Sequence, residues 1–326
     1  MTRSDPALLG PILDDVARLC ARAGEAILEV YEDPGAFGTE AKADGSPLTR
    51  ADLASHRILT GGLTALTPDV PVLSEESAEV PYEQRATWTR FWLVDPLDGT
   101  KEFVKRNGEF TVNVALVEVR GGIGVAVAGV ADVPVTGVTY ARGEGLGAWR
   151  DQDGARTRIA TAAPGKGPVR VVASRSHGNP ATDAFILGLE ALVGPVERTS
   201  SGSSLKLCRV ADGSAHYYPR VAPTMEWDTA AAHAIVTAAG GVVWRYGTTE
   251  PLRYAKKDLL NPHFLVAYAG DAPLPDAYRP VHDDRPEEDA RPTLRTTRPA
   301  RRRRLPRPAP LPSTPRPTPR LPARSA

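Results

Sequence analysis

Cysteine is scarce in this chain: two in 326 residues, Cys20 and Cys208, far apart and outside any C-x-x-C pair. That argues against a disulfide framework and a cysteine-bound zinc knuckle. No apolar run approaches the roughly 18–20 residues of a membrane-spanning helix. The opening stretch MTRSDPALLGPILDDVARLC carries acids among its apolar residues, unlike a secretory signal peptide. The histidines at 56, 177, 216, 233, 263 and 282 are scattered without metal-ligand spacing. Glycine-rich loops are also poor: RGEGLG (142–147) follows a strand pattern, but no helix opens after it, and APGKGP lacks Walker spacing. Ser200-Ser201-Gly202-Ser203 is no nucleophile elbow, and the five tryptophans form no stacking pattern for single-stranded nucleic acid. These absences leave a soluble protein of a reducing compartment, read as cytoplasmic.

A single-signed charge is missing too, but the net +1 conceals two opposite parts. Residues 283–326 hold 12 Arg against 5 acids and 11 of the 31 prolines; the remainder is acidic by 6. Such a tail buries too little apolar surface to offset ordering entropy, and the expectation for 279–326 is disorder. Its RPARRRRLPRPAP segment has the chemistry to meet RNA, anionic lipid or a proline-reading domain, against the simpler reading of an inert extension. Peripheral contact with the inner membrane face is left open on the same ground.

What is present is patterned. Leu9, Ile12, Leu13, Val16, Leu19, Ala23, Ile27 and Val30 recur at helical spacing, predicting an amphipathic helix over 7–31. Asp44-Gly45-Ser46-Pro47 is turn chemistry, and Thr49-x-x-Asp52 resembles a capping box opening a second helix. Strands are predicted at Val70–Leu73, Phe91–Val94, Phe110–Val119, Ile123–Ala131 and Val135–Tyr140, a mostly antiparallel sheet. After 168 the rhythm changes: strands at 169–174, 195–198, 215–218, 241–245 and 264–268 alternate with helices at 181–192, 203–211 and 229–239. The expected fold class is α/β with an α+β N-terminal half. The expected domains are 1–155, 156–278 and the tail 279–326.

Acids gather at element ends. Glu75-Glu76 and Asp95/Asp98 each follow a short apolar strand, and Asp228 stands where a small-residue helix begins. Adjacent strands would bring these carboxylates together, and unpaired carboxylates repel. A hard divalent cation such as Mg²⁺ resolves that with oxygen ligands, including the carbonyl of Leu97 beside Pro96. Gly99 permits close approach of backbone to an anion, and Gly99-Thr100 can open a helix whose N–H groups hold phosphate. Singly, each acid has a plainer reading: Asp228 an N-cap, Glu75-Glu76 solvated loop charge, Asp52 the partner of Thr49.

Together, SEES (74–77), DPLDGTKEF (95–103) and WDTAAAHAIVTAAGG (227–241) resemble the signatures of the inositol monophosphatase superfamily, lithium-sensitive magnesium-dependent phosphatases. The resemblance covers about residues 8–268. The segments DGSPLTRAD, PVLSEES, WLVDPLDGTKEFVKRNGEFTVNVAL, SRSH (174–177), GSSLKLC (202–208) and YPR (218–220) are similar to its CysQ-type branch, the 3′(2′),5′-bisphosphate nucleotidases. The resemblance implies a layered α-β-α-β-α sandwich. It implies that Glu75, Asp95 and the Leu97 carbonyl hold one Mg²⁺, that Asp95, Asp98 and Asp228 hold a second, and that Glu76 holds a water or a weaker third. Thr100, oriented by Asp52, would activate the attacking water, and the N–H groups of Gly99 and Thr100 would bind the scissile phosphate. Phosphate-binding surroundings would then include Glu75, Leu97, Asp98 and Asp228. Lys206 and Arg220, with Ser174-Arg175 nearby, are candidates for the nucleotide side, against a reading as surface charge. The implied reaction is hydrolysis of adenosine 3′,5′-bisphosphate to AMP and phosphate, with the related sulfated nucleotide as a second substrate, in sulfate assimilation. An inositol or sugar phosphatase with the same metal core is the alternative. No nucleic-acid partner is required, and oligomeric state stays open.

Overall fold

Helical periodicity of the first apolar residues builds α1 (Pro6–Glu32), which buries Leu9, Leu13, Val16, Cys20, Ala23 and Ile27 along one stripe. A two-residue ladder, β1 (Glu40–Ala41) with β2 (Pro47–Leu48), leads into α2 (Arg50–Leu66). Thr49 is its N-cap, and Asp52 Oδ2 accepts from the Thr49 N–H at 2.7 Å and its hydroxyl at 2.6 Å, the predicted capping pair. The computed structural model describes residues 6–33, 38, 40–41, 47–77, 79–143, 145–174, 179–270 and 272–278. All belong to one compact unit, Met1–Asp289. The expectations for the 44–46 turn, Arg175 and the tail lie outside the described residues.

A seven-stranded sheet follows: β3 (Val72–Ser74), β4 (Arg90–Asp98), β5 (Thr111–Arg120), β6 (Ile123–Val133), β7 (Val138–Gly143), β8 (Gly147–Gln152) and β9 (Ala155–Arg158), paired in that order. Only β3–β4 is parallel, so the antiparallel expectation is met. Short helices α3 (Tyr82–Arg85) and α4 (Thr100–Val104) flank β4. Some predicted boundaries need correction. Pro134–Thr136 form a 3₁₀ turn, so the strand predicted at Val135–Tyr140 begins only at Val138. The strand predicted to end at Val94 runs on to Asp98, with a register irregularity between Asp95 and Asp98, so the acid motif is the distal half of β4 rather than the loop after it.

The second sheet has the order β11 (Val196–Ser201), β10 (Val169–Ser174), β12 (Tyr217–Arg220), β14 (Phe264–Tyr268), β13 (Gly241–Arg245). It is parallel across β11-β10-β12 and antiparallel beyond. Its helices are α5 (Pro180–Val193), α6 (Leu205–Ala211) and α7 (Trp227–Ala238). The strand predicted at 215–218 is shifted to Tyr217–Arg220, carrying Arg220 to a strand end.

Burial assigns the layers. Val112, Val114 and Leu116 of β5 face α1 and α2, while Ala115 and Val117 face α7, as the period of two requires. Leu207, Val210, Ile235 and Val236 of α6 and α7 pack on Val172, Tyr218, Val243 and Val266 of the second sheet. Phe185 and Leu189 of α5 cover its opposite face. The order is helix, sheet, helix, sheet, helix. Each fully buried Leu, Ile or Phe in these interfaces contributes about 1.5–3 kcal/mol. Among the described residues, no helix is long and apolar enough to cross a membrane.

Candidate active site

The parallel register of β3 and β4 aligns their ends: Ser74 stands opposite Val94, and the Glu75 N–H donates to the Val94 carbonyl at 3.0 Å. Glu75 and Asp95 thus emerge side by side. The Leu97 N–H donates to Asp95 Oδ1 at 3.1 Å, folding the carboxylate over its own backbone. Ser55 on α2 donates to the Pro96 carbonyl at 2.7 Å, pinning the irregular segment from behind. Gly99 takes a φ of 94°, where a side chain is strained, and turns the chain into α4.

Asp228 arrives from the other side. It lies in the first turn of α7, whose N-cap is Glu226, so Asp228 is not the cap the plainer reading made it. Its Oδ2 accepts the Met225 N–H at 2.9 Å. The alanine face of α7 lets the helix approach the first sheet closely: a Cβ on Gly129 would stand 2.3 Å from the Ala231 carbonyl. Carboxylate oxygens of Glu75, Asp95 and Asp228 consequently lie within 4.8 Å of one another. Asp98 lies outside that trio but acts on it electrostatically.

Such crowding shows in the proton affinities. Removal from water, followed by Glu75, Asp98 and Asp228, pushes the Asp95 carboxyl well above the usual range. Burial and then Asp98 raise Asp228 in the same direction, against the Met225 N–H. Asp98 is pushed up to about 6, burial outweighing the pull of Lys206 and the Ser204 N–H. A converging set of oxygen ligands that resist carrying their charges together fits a hard divalent cation, which relieves desolvation and repulsion at once. The trio contains no Cys or His, in keeping with that preference.

The other predicted residues surround this corner. Thr100 Oγ1 lies 3.5 Å from Asp52 Oδ1 and 3.3 Å from the Leu97 carbonyl. Asp52 is buried, with its other oxygen tied to Thr49. Glu76 is half-buried in the turn after β3. Lys206 is no surface charge: it is 5% exposed, donates to the Ser203 carbonyl at 2.8 Å and stands over the Tyr218 ring. Burial lowers its pKa to about 8 despite Asp98. Arg220 is half-buried at the end of β12, donating to the carbonyls of Ala222 at 3.3 Å and Pro223 at 2.9 Å, and its charge reaches Asp228.

Four residues escaped the sequence reading. Thr111, Asn113 and Ser204 form a buried polar cluster against Asp98. Glu226 is fully buried, accepts the N–H groups of Ala255 at 2.9 Å and Lys256 at 3.0 Å, and pairs with the Lys256 ammonium. The available signal was polar letters in apolar surroundings: Thr and Asn two apart in TVNVALV, and Glu beside WDT.

The profile of the inositol monophosphatase family matches residues 11–273. The 3′(2′),5′-bisphosphate nucleotidase CysQ of Escherichia coli K12 is 46% identical over 259 residues, 78% of this chain and 99% of that one. Its Haemophilus influenzae counterpart is 32% identical, again over 78% of this chain, and 92% of its own. Among solved structures, CysQ from Bacteroides thetaiotaomicron superposes with a TM-score of 0.69 at 46% identity, covering 78% of this chain and 97% of that one. The Anabaena inositol monophosphatase, at 24% identity and a TM-score of 0.61 over 79% of this chain and 91% of its own, shares the fold.

Proposed function

The chain belongs to the inositol monophosphatase family, and we propose that it is a Mg²⁺-dependent 3′(2′),5′-bisphosphate nucleotidase. It converts adenosine 3′,5′-bisphosphate to AMP and phosphate in the cytoplasm, alongside sulfate assimilation, with the sulfated nucleotide as a second substrate. The observation that carries the reading is the convergence of Glu75, Asp95 and Asp228 within 4.8 Å, in a chain 46% identical to a nucleotidase of that name.

Glu75, Asp95 and the Leu97 carbonyl would hold one Mg²⁺, and Asp95, Asp98 and Asp228 another, with Asp95 shared. Glu76 would hold a water or a weaker third ion. Bound there, the ions would supply charge that makes water more acidic and stabilises the phosphoryl group and leaving oxygen. The remaining work falls to the protein. Thr100 accepts a proton from the attacking water as its own passes toward Asp52 Oδ1, the oxygen facing it at 3.5 Å. The N–H groups of Gly99 and Thr100 hold the scissile phosphate. Lys206, kept dry and close to Asp98, and Arg220 at the end of β12 take the 5′-phosphate side.

The test is phosphate release from adenosine 3′,5′-bisphosphate and inositol 1-phosphate at equal concentration, with and without Mg²⁺. The proposal expects Mg²⁺-dependent release with strong preference for the nucleotide. Preference for inositol phosphate would keep the metal corner and overturn the substrate.

A further inference from the structure

Asp98 is built into a buried relay that the reaction as described leaves unused. Its Oδ2 accepts the Ser204 N–H, with Thr111 Oγ1 at 3.4 Å. Ser204 Oγ donates to Asn113 Oδ1 at 2.8 Å, Thr111 and Ser204 hydroxyls lie 2.9 Å apart, and Asn113 Nδ2 donates to Thr111 Oγ1 at 3.1 Å. Proton counting orders the set. Ser204 spends its one proton on Asn113, so Thr111 donates to Ser204, the nearer of its two acceptors. The three side chains thus close a ring in which each gives one hydrogen bond and receives one, with the Asn113 amide joining the two hydroxyls.

The relay spans two elements from distant parts of the chain. Thr111 and Asn113 lie on one face of β5, opposite Asp98 and Asp95 respectively across the register irregularity. Ser204 is the N-cap of α6, the helix that carries Lys206. Thr111, Asn113 and Ser204 are at most 2% exposed, so water cannot replace a lost partner cheaply.

We infer that Asn113 is a positioning residue: by closing the ring with Thr111 it fixes Ser204, whose N–H holds Asp98 toward the cation corner and whose helix carries Lys206. This rests on reading Asp98 as a cation ligand. Groups that orient ligands in this way typically change metal affinity 10–100-fold when removed.

The experiment is calorimetric titration of Mg²⁺ into the substrate-free full chain: parent, Asn113→Ala and the isosteric Thr111→Val, with melting of the cation-free proteins as control. Both variants are expected to bind Mg²⁺ about tenfold more weakly while remaining folded at the temperature of titration. Thr111→Val serves even where the smaller alanine fails to fold. Affinity within twofold of the parent in a folded variant overturns the inference. A parent that binds Mg²⁺ but does not prefer the nucleotide would instead sink the nucleotidase reading, since no substrate enters the titration.

Discussion

Thr100 and Asp52 set the residue scale. A hydroxyl in contact with a buried carboxylate can relay a proton without carrying charge itself. Thr100→Ala should therefore lower kcat about 100-fold while KM moves only a few-fold, as steady-state kinetics would show; an equal loss in KM would assign Thr100 to binding instead. The acids were legible in sequence because each lies at an element end beside Pro96, the permissive Gly99 or the small-residue helix after Asp228. Lys206 was not, since a buried lysine and an exposed one share a letter, and its burial depends on Tyr218 and Ser203 arriving from other elements. Asn113 escaped for the same reason: its partners lie on its own strand and 91 residues away.

Among elements, β4 and α7 bear the most on the site. The proline inside DPLD cannot donate to a ladder. The strand nevertheless continues, absorbing the proline in the irregularity between Asp95 and Asp98 and returning to register at Thr111. That local kink aims the two aspartates, and alternation patterns carry no information on it. The approach of α7 depends on Gly129, where an added Cβ meets backbone rather than a movable side chain. Gly129→Ala should cost about 1–3 kcal/mol of stability, read by urea denaturation. By pushing Asp228 outward, it should also weaken Mg²⁺ binding. A variant as stable as the parent would show that β6 and α7 can separate freely.

Across the whole molecule, the antiparallel first sheet and the alternating second half were readable from periodicity. The stacking of the two sheets across α6 and α7 was not, because it depends on which faces bury one another. That central layer contains His233, bonded to the Tyr254 hydroxyl at 2.7 Å, and burial followed by the Arg142 charge lowers its pKa to about 4. The folded chain thus refuses a proton that the unfolded chain accepts below the ordinary value of 6.5. This histidine's contribution should erode as pH falls through that window and level off below about 4. Urea midpoints of the parent should accordingly fall more steeply between those values than those of His233→Gln; parallel slopes would remove the histidine from the account. The basic tail stands apart from the acid corner in sequence, and truncation after His282 should leave kcat and KM unchanged. In the proposed mechanism Asp95 is the carboxylate shared between the two cations, beside Glu75 and Asp228. The most direct test is phosphate release from adenosine 3′,5′-bisphosphate by Asp95→Asn, with its fold verified by circular dichroism. The account predicts loss of at least about a thousandfold in a folded protein; turnover near the parent's would contradict the assignment of this corner as the active site.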